Sequence, residues 1–496
     1  MALIPLVMAQ QLRDKVVSGV AWSIAEKVGS MLLQMVVSIV VARLLLPEDF
    51  GVLAILTFFT ALSALFVDSG FSQTLIRKSE PTASDYKSVF IFNIVVAVAL
   101  YLLLVALSPM IAVYYNLPII ASIAPVLMLL LPLSALGVIQ NTIFARQFRF
   151  ALLSRINFLS SAVAGAVAIA MALSDCGVWS LVGQRLAQMA TKSALLWIYG
   201  SWRAEGEFSL ASLKAMGGFS FRLLGKDTIS YLYNNIAQLF IGKIYSADTL
   251  GYFNQAQKLK ELPVTSAVQS FQSVTYPALS NIKDNREKFA ESFRYVLMMT
   301  AAVMFPAMVG MIAVADDMFL LLLGERWLQT VPYFKILSLT GLTLPLQMIA
   351  YNVLKVAGDG RVIIRLEVVC KVIMTVILAI TIPHSVVAVA WGLVVMSAVE
   401  FVLNISAATR LSALKMGSVV RTLLPIAALT ALMFGAVELT SHFAAQLTLW
   451  VRFMLQIAVG ATAYIALGAL FRMEFMRQAM QIVQGLIRNR GGQPQS

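Results

Sequence analysis

Polar side chains that could bind an anion recur at three- and four-residue spacing along three predicted helices, which places each set on one helical face. The basic candidates are Lys27, Arg222, Lys226 and Lys258 on these stripes, with Lys260 near the third stripe. The other polar members include Gln34, Asn234, Gln238, Gln255 and Gln269, with Glu26 beside Lys27 and Asp227 beside Lys226. Basic groups inside a low-dielectric region bind phosphate or carboxylate strongly. The stripes therefore predict an anion-binding cavity or, as the alternative, structural ion pairs inside a helix bundle.

A second group of ionisable side chains lies at four-residue spacing nearer the carboxyl terminus. Glu367 and Lys371 form one pair, and Glu400 and Asn404 form another. Structural pairing is one interpretation of this spacing. The other interpretation is coupling to a proton or sodium gradient, because intramembrane carboxylates relay ions in transporters. A single cation, Arg185, is open to either a cargo-binding or a packing role.

The remaining reactive residue types exclude several kinds of chemistry. The chain has two cysteines and two histidines, without the spacing of zinc ligands or of a disulfide framework. It also lacks the GxxxxGK[ST] loop that binds nucleotide phosphates. We therefore expect no metal, no cofactor, no catalytic residue and no direct hydrolysis of ATP.

The elements that position these side chains must be membrane helices. Of 496 residues, 60% are hydrophobic and 12% are charged, and the mean hydropathy is +0.84, which excludes a soluble globular protein. The positive-inside rule, by which Lys and Arg collect in the loops on one side of a membrane, accounts for the net charge of +13. The charge therefore does not indicate a nucleic acid partner.

The hydrophobic pattern predicts about 14 transmembrane helices, because each crossing needs about 20 mostly apolar residues. The predicted spans are 16–46, 50–69, 86–108, 119–145, 152–174, 178–199, 216–245, 250–278, 294–315, 331–357, 362–382, 386–408, 419–439 and 449–471. Lys and Arg are concentrated in alternate loops. This positive-inside bias predicts that residues 1–15 and the tail 472–496 are both cytoplasmic.

An internal repeat organises these spans. At an offset of 200 residues, the segment ARLLLPEDFG at 42–51 aligns with GKIYSADTLG at 242–251. The alignment predicts two parallel lobes of six helices, residues 16–200 and 201–410, followed by two added helices in residues 411–471.

Five short motifs occur in the order and spacing of a known family. They are ARLLLPEDFG at 42–51, DSGF at 68–71, LGYFNQA at 250–256, YPALS at 276–280 and LGERW at 323–327. On these motifs the chain resembles the polysaccharide exporters of the colanic acid exporter type. That family lies within the multidrug, oligosaccharidyl-lipid and polysaccharide flippase (MOP) superfamily.

The resemblance implies a MATE-like fold, alternating access and location in the bacterial inner membrane. It also implies a cargo of undecaprenyl-pyrophosphate-linked oligosaccharide, used to make exopolysaccharide, capsule or lipopolysaccharide, with a polymerase and a chain-length regulator as partners. A drug or small-cation antiporter of the same fold is one alternative, although it would favour an acidic cavity. A membrane polysaccharide polymerase is the other, although the outer loops are short for one.

Overall fold

The structure is a computed structural model that describes residues 29, 31–358, 360–478 and 481. The side chains of residues 266, 267, 269, 270, 272–274 and 277 are not described. Every regular element within these ranges is helical, which confirms the predicted all-α fold class.

Eighteen α-helices run in chain order through the described residues. They are α1 Met31–Leu44, α2 Pro47–Asp68, α3 Phe71–Arg77, α4 Ala83–Tyr115, α5 Ile119–Leu127, α6 Leu130–Arg146, α7 Phe150–Leu173, α8 Val178–Tyr199, α9 Leu210–Ile244, α10 Ala247–Asn281, α11 Arg286–Ala313, α12 Ala315–Leu322, α13 Thr330–Ser338, α14 Thr340–Ala357, α15 Gly360–Thr381, α16 Val386–Ser412, α17 Met416–Phe443 and α18 Leu449–Leu470. A short 3₁₀ turn, Glu325–Trp327, lies between α12 and α13.

Nine segments of the described chain are long and apolar enough to cross a membrane. They are α2 with α3, α4, α5 with α6, α7, α11, α13 with α14, α16, α17 and α18. This confirms a multi-pass helical membrane protein and leaves the count of fourteen a prediction. The other predicted spans coincide with α1, which is described over a short stretch, and with the less apolar α8, α9, α10 and α15.

The described contacts divide the chain into two compact units, Met1–Gly251 and Tyr252–Ser496. Helix α9 packs on α2, α3 and α4, and so belongs to the first unit. The predicted lobe boundary lies earlier, between residues 200 and 201, and the lobes stay a prediction.

Both copies of the predicted repeat form the same helix–turn–helix in the first unit. Helix α1 ends at Leu44 and α2 begins at Pro47, whereas α9 ends at Ile244 and α10 begins at Ala247. Equivalent boundaries thus differ by the offset of 200. Side chains cap both turns: the Asp49 carboxylate accepts the Leu46 N–H at 3.0 Å, and the Ser246 hydroxyl accepts the Thr249 N–H at 3.2 Å.

The two repeated turns touch through their glycines. A Cβ atom on Gly51 would overlap the backbone carbonyl of Ala247, and a Cβ atom on Gly251 would overlap the carbonyl of Pro47. Glycine is required at both positions because the backbones of α2 and α10 approach so closely.

The second unit packs α11, α14, α16 and α17 around one apolar core that includes Phe293, Leu346, Ile405 and Ile426. Two ion pairs fix α18 to this unit. The Arg452 guanidinium donates to Asp317 at 2.6 Å near the start of α18. Beyond its end, the Arg294 guanidinium donates to both carboxylate oxygens of Glu474, at 2.8 and 2.9 Å.

Candidate functional site

The cations of α9 are exposed near the middle of a long helix. Lys226 lies roughly 25 Å from either end of this 35-residue helix. Arg222 and Lys226 are both exposed. The Nε of Arg222 donates to the Gly218 carbonyl at 2.8 Å, and Lys226 Nζ lies 3.7 Å from Asp227 Oδ1. Within the described chain, the terminal guanidinium nitrogens of Arg222 thus keep their hydrogen-bonding capacity for a ligand.

The predicted α9 stripe is not a straight line down the helix. Side chains four residues apart are rotated by about 40°, because four steps of 100° exceed one turn. Asn234, two steps beyond Lys226, is exposed, whereas Gln238 is half-buried and has a protein partner. The accessible polar face is therefore centred on the basic half of the stripe.

The opposite side of α9 is anchored in the first unit. The hydroxyls of Thr74 and Ser220 lie 2.7 Å apart, and the rings of Phe71 and Phe221 make an edge contact at 6.0 Å. Further along, the Tyr231 hydroxyl donates to the Phe58 carbonyl at 3.4 Å. These contacts hold the basic face in a fixed direction.

The two predicted cations of α10 lie on different faces of the helix. Lys258 is exposed and has a protein partner, whereas Lys260 is only 6% exposed. Lys260 Nζ lies 3.3 Å from Thr340 Oγ1, and the Thr340 hydroxyl itself donates to the Leu337 carbonyl at 2.7 Å. Gln255 is 2% exposed, and its Nε2 atom has no partner within the described chain. Of these three, Lys258 is the one accessible to a ligand.

A group of hydrogen-bonded polar side chains connects three helices of the first unit. The side-chain amides of Gln34 on α1 and Gln188 on α8 each lie 3.4 Å from the Ser161 hydroxyl on α7. Arg185 and Lys192 lie three residues before and four residues after Gln188, and therefore on its side of α8. Arg185 is exposed and Lys192 is half-buried.

Lys192 was missed by the sequence analysis. The spacing 185, 188 and 192 is a stripe of the same kind as those on α9 and α10. The sequence signal for Lys192 is its position seven residues after Arg185 within one predicted span.

Glu367 of α15 and Glu400 and Asn404 of α16 line a cavity of about 200 Å³ in the second unit. Lys371 Nζ lies 3.8 Å from Glu367 Oε1, and Glu400 interacts electrostatically with both residues. Asn404 donates to the backbone carbonyl of Glu400, at 2.9 Å, rather than to its carboxylate. The structure thus brings both predicted pairs into one cluster of two carboxylates and one ammonium group.

Three predicted site residues cannot be placed. Glu26 and Lys27 lie outside the described residues, and the side chain of Gln269 is not described. Within the described chain, no cluster of three or more His, Cys, Asp or Glu side chains could hold a metal ion.

Comparison with known proteins gives one family and several relatives. The family described as "polysaccharide biosynthesis protein" matches residues 40–332, which is more than half of the chain. The chain is 25% identical over 468 residues to the teichuronic acid biosynthesis protein TuaB of Bacillus subtilis (strain 168), covering 91% of this chain and 95% of that protein. It is 25% identical to the lipopolysaccharide biosynthesis protein WzxC of Escherichia coli (strain K12), covering 67% and 68%.

Two solved structures share the fold. The lipid II flippase MurJ in an inward closed conformation superimposes with a TM-score of 0.72 at 14% identity, covering 91% of this chain and 98% of that one. An inward-facing multidrug resistance MATE family transporter of the MOP superfamily gives 0.57 at 15% identity, covering 77% and 96%. These likenesses confirm the predicted MATE-like fold.

Proposed function

The chain belongs to the polysaccharide biosynthesis protein family, and from this membership we propose that it flips a lipid-linked oligosaccharide across the bacterial inner membrane. The proposed cargo is an undecaprenyl-pyrophosphate-linked repeat unit of an exopolysaccharide, capsule or lipopolysaccharide. The relatives named for teichuronic acid and lipopolysaccharide biosynthesis support this class of cargo. A polymerase and a chain-length regulator would act on the cargo after translocation.

The exposed cations of α9 carry this proposal. An unneutralised Arg at membrane depth costs several kcal/mol, about 2.5–3.5 on insertion scales, unless water or an anion accompanies it. The pyrophosphate of the cargo would supply this anion to Arg222 and Lys226, which are both exposed. The guanidinium plane matches two phosphate oxygens, and the ammonium supplies a second compact charge.

The other basic residues divide into two roles. Lys258 is exposed and remains a proposed cargo ligand, as does Lys27, which lies outside the described residues. Lys260 is buried against Thr340, so in this conformation it contacts the second unit and is not accessible to cargo. The amides of Gln34 and Gln188 are suited to hydrogen-bond sugar hydroxyls.

The cluster of Glu367, Lys371 and Glu400 is the proposed site of ion coupling. Two carboxylates beside one ammonium leave a formal charge of −1 at the cavity that Glu367 and Glu400 line. Uptake of one proton or one sodium ion would neutralise this charge, which is costly to bury. The alternative of a drug antiporter is less well supported, because the exposed face of α9 is basic.

The experiment uses the full chain in liposomes with undecaprenyl-pyrophosphate-linked oligosaccharide. Replacing both α9 cations, Arg222→Gln with Lys226→Gln, should lower the rate of translocation about tenfold or more, which corresponds to a barrier higher by about 1.4 kcal/mol. Arg421→Gln, which removes an exposed cation from α17, is the matched control and should leave the rate unchanged. An unaltered rate in the double variant would exclude α9 as the cargo site, and absence of translocation by the unmodified chain would contradict the proposed function.

A second arm of the same assay applies a pH or sodium gradient. The gradient should accelerate the unmodified protein and not Glu400→Gln, because the amide cannot take up a cation. If Glu400→Gln still responds to both gradients, the coupling site lies elsewhere while the flipping proposal stands.

A further inference from the structure

The turn between α6 and α7 has an unusual residue at its tightest position. The Phe148 N–H donates to the Ala145 carbonyl at 3.1 Å, and the Arg149 N–H donates to the Phe144 carbonyl at 2.9 Å. This pattern is a Schellman motif, in which a residue with left-handed backbone closes a helix. Glycine is usual at that position, but here Phe148 adopts a φ of +55°. A side chain in this region carries backbone strain, which the protein tolerates at this turn.

The strained residue is also exposed. The Phe148 side chain is 80% exposed, and Phe150 is 51% exposed. Their rings form an edge contact with centroids 6.0 Å apart. Exposure of an aromatic pair is unfavourable in water, and the strained backbone of Phe148 has a cost of its own. The arrangement therefore favours an apolar partner that contacts the two rings.

Hydrogen bonds from Arg146 hold the end of α6, where the turn begins. The Arg146 guanidinium donates to the carbonyls of Leu75 and Lys78, at 2.9 and 2.7 Å, and also to the carbonyl of Ser79. These bonds fasten the end of α6 to the segment after α3. The aromatic pair is therefore presented in one orientation, which reduces the entropy lost on binding.

Two features identify the partner as a phospholipid. Phe150 is the first residue of α7, which is apolar enough to span the membrane, so the turn lies where that helix enters the bilayer. Arg149 is exposed between the two aromatic residues, and its guanidinium lies 4.9 Å from the Phe144 ring centroid. A cation flanked by aromatic rings at this level matches an anionic headgroup above acyl chains.

We propose that the segment Phe148–Phe150 is a binding site for an anionic phospholipid at the membrane surface. The two rings enter the acyl-chain boundary, and Arg149 contacts the phosphate of the headgroup. This site is independent of the proposed cargo and of the ion-coupling cluster. It would fix the depth of the α6–α7 turn in the leaflet that the positive-inside rule assigns to the cytoplasm.

The first test measures depth with a spin label. Single cysteines replace Phe148 or Phe150 in a chain that carries Cys176→Ser and Cys370→Ala, and Glu205→Cys, on the exposed α8–α9 connection, is the aqueous control. In phosphatidylglycerol liposomes, labels at 148 and 150 should be more accessible to oxygen than to a water-soluble nickel complex. The label at 205 should show the reverse. Labels at 148 and 150 with the accessibility of the 205 label, or shielded from both reagents by protein, would overturn the proposal.

The second test separates lipid binding from strain. Phe148→Gly restores the usual residue of the turn, so the thermal midpoint of the detergent-purified protein should be unchanged or higher. The stabilisation gained on adding phosphatidylglycerol should fall by about half or more in Phe148→Gly and in Arg149→Gln. Phe148→Trp should retain it, and phosphatidylcholine should give a smaller stabilisation. Full stabilisation of Phe148→Gly by phosphatidylglycerol would exclude the site.

Discussion

Two regions of the first unit use glycine for opposite purposes. At the crossing of α2 and α10, Gly51 and Gly251 lie against the backbone of the opposite helix. On α9, nothing lies within 4 Å of the position that a Cβ atom of Gly218 or Gly225 would occupy. The first pair allows two helices to touch, and the second pair leaves space open.

This difference separates the structural part of the unit from its proposed binding face. The two open glycines flank Arg222, and Gly225 is adjacent to Lys226. The vacant surface beside these cations is what a bulky pyrophosphate would need. The close crossing, by contrast, fixes the turn where the two copies of the repeat meet.

The largest effect is expected at the crossing. Gly51→Ala places a methyl group on the carbonyl of Ala247, and this overpacking should lower the free energy of unfolding by about 1–3 kcal/mol. Thermal unfolding in detergent measures the change. Gly218→Ala is the matched control with an open environment, and an equal midpoint in both variants would remove the distinction between the two regions.

An intermediate effect is expected on transport alone. Gly225→Leu should fill the space beside Lys226 and slow translocation about tenfold, while stability changes by less than about 0.5 kcal/mol. The liposome assay and thermal unfolding together separate the two quantities. Gly435→Leu, at an equally open position on α17, should transport normally, and a normal rate in Gly225→Leu would indicate that the cargo does not use this surface.

The smallest effect is a stabilisation. Gly225→Ala removes backbone freedom from the unfolded chain at a position with room for a methyl group, so it should stabilise the protein by up to about 1 kcal/mol. Transport should be unchanged, because one methyl group occupies little of the open face. A midpoint lower than that of the unmodified protein would show that α9 is packed more tightly than its surroundings indicate.

The sequence was most informative about helices and least informative about which side of a helix is buried. The repeat predicted equivalent turns, and the helix boundaries 44 and 47 recur at 244 and 247. The hydrophobic pattern predicted fourteen spans; nine segments of the described chain have the length and hydropathy of a span, whereas the spans predicted at α8, α9, α10 and α15 stay predictions. The polar residues that make α8, α9, α10 and α15 less apolar include the candidate site residues.

Side-chain roles depended on residues distant in sequence. Periodicity places Lys258 and Lys260 on different faces of α10, because two residues rotate a helix by about 200°. It does not say which face is covered. That depends on Thr340, eighty positions further along, which packs against Lys260 and leaves Lys258 exposed.

The charged cluster of the second unit shows the same division. Four-residue spacing predicted that Glu367 and Lys371 share a face of α15, and they form an ion pair. The spacing also paired Glu400 with Asn404, but the Asn404 amide binds backbone instead. Only the packing of α15 against α16 brings Glu400 to Lys371. Local periodicity determines which residues share a helical face, whereas charges on different helices meet only after tertiary packing has set their distance.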